Sequence, residues 1–324
     1  MTLHHAPESG IAAAPADVTF RSGADLCHAW HFRAATDELD GPGGRPVAVM
    51  AHGFGGTKDS GLEPFARAYA AAGIDVLAFD FRYLGASGGE PRQRIRMAEQ
   101  VADYRAAVAA AAELPGVDPH RIVLWGVSLS GGHVFAAAAA ARATPEKAAT
   151  ARAALAAVVS VTPLVDGRAA AALAVRAGGI AATLRGAYGS IRRQLDTVTG
   201  GTGLIPLVGR PGAVAALALD GWYESYLALA GPTWRNEIDA GVLAQLAGYR
   251  PARAAAELRL PVLVQVADFD RGAPPYAAAK AAFAARAEVR HYPCDHFGVW
   301  PGNPCHEPAV RHQLMFLRRH LAPR

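Results

Sequence analysis

Two serines stand two positions apart in RIVLWGVSLSGGHV, residues 121–134, directly after a run of β-branched and aromatic residues. A serine hydroxyl attacks a carbonyl only when a nearby base takes its proton and fixed N–H groups receive the charge that develops on oxygen. Such a nucleophile belongs on the tight turn that ends a strand, where the following helix points its amino end at the site. The strand-like run ends at Trp125, which places Ser128 on the turn and Ser130 in the first helical turn. Ser128 is therefore the expected nucleophile. The pattern GxSxG is met with one departure, Ser130 for the second glycine. Serine is among the smallest replacements where strand and helix approach closely, so the departure is tolerable.

Further pieces are needed. AHGFGGTKD, residues 51–59, ends an earlier strand in a glycine-flanked turn, and this lets the backbone N–H of Phe54 approach a developing oxyanion. The amide of Leu129, just after the nucleophile, is the expected second donor. The base is expected downstream at His296, in CDHFGVW. Its orienting carboxylate is Asp268 or Asp270, which share the turn after PVLVQVA, or Asp295, which directly precedes the histidine and so directs its side chain elsewhere.

These loops have to be held by a scaffold. Strand patterns fall at 46–52, 74–81, 121–125, 154–161 and 261–267, with a short strand EVRHY at 288–292. Helical patterns fall at 63–72, 94–113, from about 133, 276–287 and 307–321. A leader over 1–16 and a hairpin of 18–21 with 27–33 precede them. Continuous apolar strands alternating with amphipathic helices predict an α/β fold, a mostly parallel twisted sheet with helices on both faces. Between 163 and 250 the rhythm stops, and aromatics gather at Trp222, Tyr223, Tyr226 and Trp234. The expected organisation is a core of 1–162 and 251–324 with a mainly helical lid insertion of 163–250 over the sheet's carboxyl edge.

With these residues in view, the chain resembles the α/β-hydrolase fold superfamily, in its lidded esterase, lipase and serine-aminopeptidase-like branch. The resemblance rests on His52 to Gly56, Asp80 to Gly88, Gly126 to Gly132, Ala267 to Asp270 and Asp295 to Phe297, and it covers about 45–165 and 255–320 but not the lid. It implies the chain order nucleophile, acid, histidine. In such enzymes the acid commonly stands fourth in a small turn beginning with glycine, which selects Asp270 although Ala267 replaces the glycine. The resemblance also implies that His52 braces the oxyanion loop rather than reacts. A bulky residue between Gly53 and Gly55 implies short or medium acyl groups.

Composition excludes other classes. The net charge is +4, but the basic residues are scattered, so no nucleic acid is expected. No apolar run spans a bilayer, and the start MTLHHAPESG lacks the basic-then-apolar pattern of a signal peptide, so a cytoplasmic protein without a membrane span is expected. Cys27, Cys294 and Cys305 are too few for a disulfide framework, and no metal-ligand spacing joins them to histidines. The expected activity is that of a serine hydrolase cleaving an ester-type carbonyl with an apolar or ring-bearing acyl group through an acyl-enzyme. It uses Ser128, Asp270 and His296 with no metal or organic cofactor. The expected partner is a small-molecule substrate, with a homodimer as the assembly considered. The same residues also serve a peptidase, an amidase or a carbon–carbon hydrolase, and a ligand receptor on the same fold is the alternative outside enzymes.

Overall fold

The computed structural model describes residues 14–143, 153–178, 195 and 203–323. The leader expected over 1–16 lies outside them except for its last three residues, as does 179–202, apart from 195, within the expected insertion.

The chain opens with the antiparallel hairpin β1 (Ala16–Ser22) and β2 (Asp25–Phe32). There follow β3 (Arg45–Ala51), α1 (Glu63–Ala71), β4 (Asp75–Phe79), α2 (Met97–Ala112), β5 (Val117–Val127), α3 (Leu129–Ala143) and β6 (Leu155–Val161). After β6 come α4 (Gly167–Gly178), β7 (Leu204–Ile205), α5 (Trp222–Leu229), β8 (Ile238–Asp239), α6 (Val242–Gly248) and α7 (Ala252–Ala255). The chain closes with β9 (Val262–Ala267), α8 (Pro275–Ala284), β10 (Glu288–Tyr292) and α9 (His306–Leu321).

Eight strands form one sheet in the order β1-β2-β4-β3-β5-β6-β9-β10. β1 and β2 run antiparallel to their neighbours, and every pairing from β4 to β10 is parallel. The expected fold class is borne out. β4 and β9 are buried at every residue, as strands covered on both faces must be. The short β7 and β8 pair with each other outside this sheet. Among the described residues no helix is long and apolar enough to cross a membrane.

The strand order reverses at β3, which has β4 on one side and β5 on the other, so the loops leaving β3 and β5 open a crevice between them. Ala51 pairs with Gly126, and Ala267 with Tyr292, so the loops that follow β3, β5, β9 and β10 leave from the same edge. Two local expectations are corrected. The strand expected at 121–125 runs from Val117 to Val127, and the helix expected from about 133 begins at Leu129. The Gly132 N–H already donates to the Ser128 carbonyl at 3.2 Å, so the helix is wound through its two glycines in spite of their low propensity.

One buried charge stitches three strands. Asp75, at the start of β4, accepts bonds from His31 Nε2 on β2 at 2.8 Å, Arg45 Nε on β3 at 2.7 Å and the Ala34 N–H at 2.9 Å. Burial alone would raise its pKa, but these bonds outweigh burial and hold the carboxyl down at about 2. A depressed carboxyl stabilises the fold above its unfolded value near 4, and that stability is lost as pH falls toward 2. Urea unfolding is expected to show this group's contribution, about 2 kcal/mol, disappearing between about pH 4 and pH 2. Asp75→Asn is expected to be less stable at neutral pH and to show a flatter acid limb.

Candidate active site

Ser128 sits on the turn between β5 and α3 with φ +58°, a conformation that costs a non-glycine residue about 1–3 kcal/mol. Its surroundings hold it there. The Ser128 N–H donates to the Val161 carbonyl at 2.9 Å, and the Ser128 carbonyl accepts from the Leu164 N–H at 2.8 Å. The glycines beside the turn are required by contact. A Cβ on Gly126 would stand 2.3 Å from the Ser130 carbonyl oxygen, and one on Gly53 would stand 2.8 Å from Ser128 Cβ.

Ser130 has a different environment. It is fully buried; its hydroxyl accepts the Val127 N–H at 2.9 Å and donates to the Ala51 carbonyl at 2.8 Å. The second serine thus ties the end of β3 to the end of β5, which explains why a polar residue is accommodated where a glycine was expected.

The carboxylates separate clearly. Asp270 and His296 are both buried, with His296 Nδ1 2.5 Å from Asp270 Oδ2. The other oxygen of Asp270 accepts the N–H groups of Gly272 and Ala273, each at 2.8 Å, which fixes the carboxylate plane. Asp268 instead pairs with the exposed His291 at 2.7 Å. Asp295 accepts the N–H groups of Phe297 and Gly298 within its own turn.

Phe54 and Ser128 line one cavity with His296. Leu129 opens α3, where the first N–H groups of a helix have no intrahelical acceptor. His52 also lines this cavity, its Nε2 2.8 Å from the Ser60 carbonyl and its ring stacked on Trp300. Burial pushes its pKa down to about 4, so at neutral pH the ring is uncharged and Nε2 carries the donated proton.

Two features of this loop went unread in the sequence. Lys58 is almost wholly buried, with its Nζ 2.7 Å from Asp80 Oδ2, and its own N–H donates to Asp80 Oδ1 at 2.6 Å. The pair clamps the loop after β3 to the turn after β4. Asp59 accepts the Thr233 N–H at 2.8 Å and Ser60 Oγ accepts the Gly231 N–H at 3.3 Å, which fastens the same loop to the segment after α5. A lysine in a glycine-rich loop carries no pattern that announces burial.

That segment also lines the cavity, whose remaining wall includes Tyr226, Leu229, Trp234, Phe297 and Trp300.

The sequence pattern described as alpha/beta hydrolase fold matches residues 46–302. The chain is 33% identical over 315 residues to the quorum-quenching protein AidA of Acinetobacter baumannii strain MDR-ZJ06, covering 96% of this chain and 97% of that protein. It is 44% identical over 93 residues to the thiohydrolase aneE of Aspergillus aculeatus, 29% of each protein. The crystal structure of the alpha/beta hydrolase GrgF from Penicillium sp. sh18 superimposes with a TM-score of 0.73 at 22% identity, over 95% of this chain and 99% of that one, a likeness of fold alone.

Proposed function

The chain belongs to the alpha/beta hydrolase fold family, and from that premise we propose that it is a serine hydrolase cleaving ester-type carbonyls through an acyl-enzyme. The observation that carries this reading is the bond between His296 Nδ1 and Asp270 Oδ2, with His296 and Ser128 lining one cavity at the sheet's carboxyl edge. With its Nδ1 proton held by Asp270, the imidazole has Nε2 free to take the proton of Ser128 as the hydroxyl oxygen attacks the carbonyl carbon. The oxyanion receives the N–H groups of Phe54 and Leu129. The imidazolium then protonates the leaving group as its bond to the acyl carbon breaks. Water, deprotonated by His296, attacks the acyl-enzyme and releases the acid and Ser128.

Residues 163–250 act as the lid in this reading, and 1–162 with 251–324 as the core. Residues 222–234 supply part of the wall of the cavity that holds Ser128 and His296, so an acyl group enters against them. The wall they supply, Tyr226, Leu229 and Trp234, suits an apolar or ring-bearing acyl group. Because one relative is a thiohydrolase, thioesters belong beside oxygen esters in the range to be tested.

The test is rapid-mixing kinetics on p-nitrophenyl esters of graded acyl length and the matching thioesters. A burst of leaving group equal to the enzyme concentration, followed by slower turnover, is the expected result. Absence of turnover on esters, thioesters and anilides alike would overturn the proposal.

A further inference from the structure

The lid helix α5 touches two parts of the proposed machinery at once. Trp222 and Tyr226 are four residues apart and so share one face of that helix. The Trp222 ring stacks on the His296 imidazole, with centroids 4.9 Å apart and planes 22° from parallel. The Tyr226 hydroxyl donates to the Phe54 carbonyl at 3.2 Å, and Tyr226 is buried. Phe297, the residue after the histidine, meets both rings edge-on, at 5.3 Å and 5.5 Å.

The neighbouring loops are shaped to receive this face. A Cβ on Gly272 would stand 2.0 Å from Trp222, so the turn that carries Asp270 leaves a slot for the indole. The Gly55 Cα faces Leu207, another residue of the insertion, whose Cδ1 would stand 2.6 Å from a Cβ there. Within the turn itself, among the described residues, the peptide plane that carries the Phe54 N–H is held by a long bond, 3.4 Å, from the Gly56 N–H to the Gly53 carbonyl. The next peptide plane, carrying the Phe54 carbonyl, is held by Tyr226 from outside the turn.

We propose that Tyr226 and Trp222 are positioning residues, through which the lid helix sets the oxyanion donor Phe54 and the base His296 when it is seated. This rests on the serine-hydrolase reading above. Neither side chain performs chemistry. Tyr226 acts through the Phe54 backbone, and Trp222 limits rotation of the imidazole about the axis that Asp270 defines. The consequence is that the site is complete only with α5 seated, so seating the lid over a bound acyl group both excludes water and assembles the donors.

The experiment compares the wild type with Tyr226→Phe, Trp222→Phe, Trp222→Leu and Leu227→Ala, the last an exposed residue of the same helix. It measures kcat and KM on p-nitrophenyl butyrate, inhibition by a trifluoromethyl ketone of matching length, and thermal midpoints. Tyr226→Phe removes one hydroxyl and keeps the ring. Its kcat is expected to fall about tenfold with KM within about twofold, because a misplaced donor weakens the transition state and not the ground state. The ketone's hemiketal oxyanion occupies the same hole, so its inhibition constant is expected to rise in step with the loss of kcat/KM. Trp222→Phe, which keeps a stacking ring, is expected to retain most activity, Trp222→Leu to lose about tenfold, and Leu227→Ala to match the wild type. The inference is overturned if Tyr226→Phe and Trp222→Leu both turn over within twofold of an active wild type. It is equally overturned if their losses follow lowered thermal midpoints without any change in ketone binding. A wild type inert toward both ester and ketone would instead remove the serine-hydrolase reading itself.

Discussion

Ser128→Ala is expected to lower kcat/KM for a p-nitrophenyl ester by about 10⁵-fold while the protein remains folded. The alanine keeps the Cβ that packs beside Gly53 and keeps the backbone bonds to Val161, Gly132 and Leu164, so the turn loses only the hydroxyl oxygen proposed to react. Ser130→Ala makes the opposite trade. It removes the hydroxyl that bridges Val127 and Ala51, leaving a buried N–H and a buried carbonyl with fewer partners. That variant is expected to lose about 1–3 kcal/mol of stability by urea unfolding and to keep its activity within about tenfold. The pair of variants thus separates a reacting serine from a structural one. Steady-state rates alone would distinguish them, and the unfolding curves show that the distinction does not arise from misfolding.

Asp270→Asn is expected to lower kcat/KM by about 10⁴-fold. The carboxylate accepts a hydrogen bond from the His296 Nδ1–H, whereas an amide placed to donate there drives the imidazole proton onto Nε2, where it blocks acceptance of the serine proton. An asparagine Oδ1 can still accept the Gly272 and Ala273 N–H groups, so the turn is expected to persist and the loss to appear in kcat rather than in folding. Asp268→Asn is the matched comparison. Its partner is the exposed His291, and exposed pairs contribute about 1 kcal/mol or less, so near wild-type rates and stability are expected. Equal losses in the two variants would mean that the acid had been assigned to the wrong aspartate.

The sheet was legible because its inner strands are buried on both faces. VLAF in β4 and VLVQVA in β9 are apolar runs that admit few other readings, and their alternation with helices dictates parallel pairing. Ser128 was legible for a related reason. The strand ends directly before it, and one tight turn leaves one position raised. Separating Asp270 from Asp268 needed more than spacing, since both stand on one turn. The resemblance chose between them, and the two side chains lie on opposite sides of that turn.

What stayed unread depends on contacts between residues distant in sequence. Lys58 looks like a solvated residue of a polar loop until Asp80, 22 positions away, is brought beside it. Gln313 is an unremarkable polar position of α9. In the fold it is wholly buried, accepting from Tyr69 at 2.8 Å and from Trp125 at 3.0 Å while donating to Gln265 at 2.6 Å. Trp222 and Tyr226 were visible only as aromatics in a segment without strand rhythm. Their spacing shows a shared helix face, but nothing local shows that the face meets an imidazole and a backbone carbonyl. The start of α3 was placed four residues late for a different reason. Glycine propensity argues against a helix there, and the close packing around Gly131 and Gly132 overrides it.

The most direct measurement is intact-mass spectrometry after fluorophosphonate treatment of the wild type, Ser128→Ala and Ser130→Ala. A single adduct on the wild type and on Ser130→Ala, absent from Ser128→Ala, is the predicted result. Labelling that survives in Ser128→Ala, or a wild type that takes no adduct, would contradict the assignment of Ser128 as the nucleophile of a serine hydrolase.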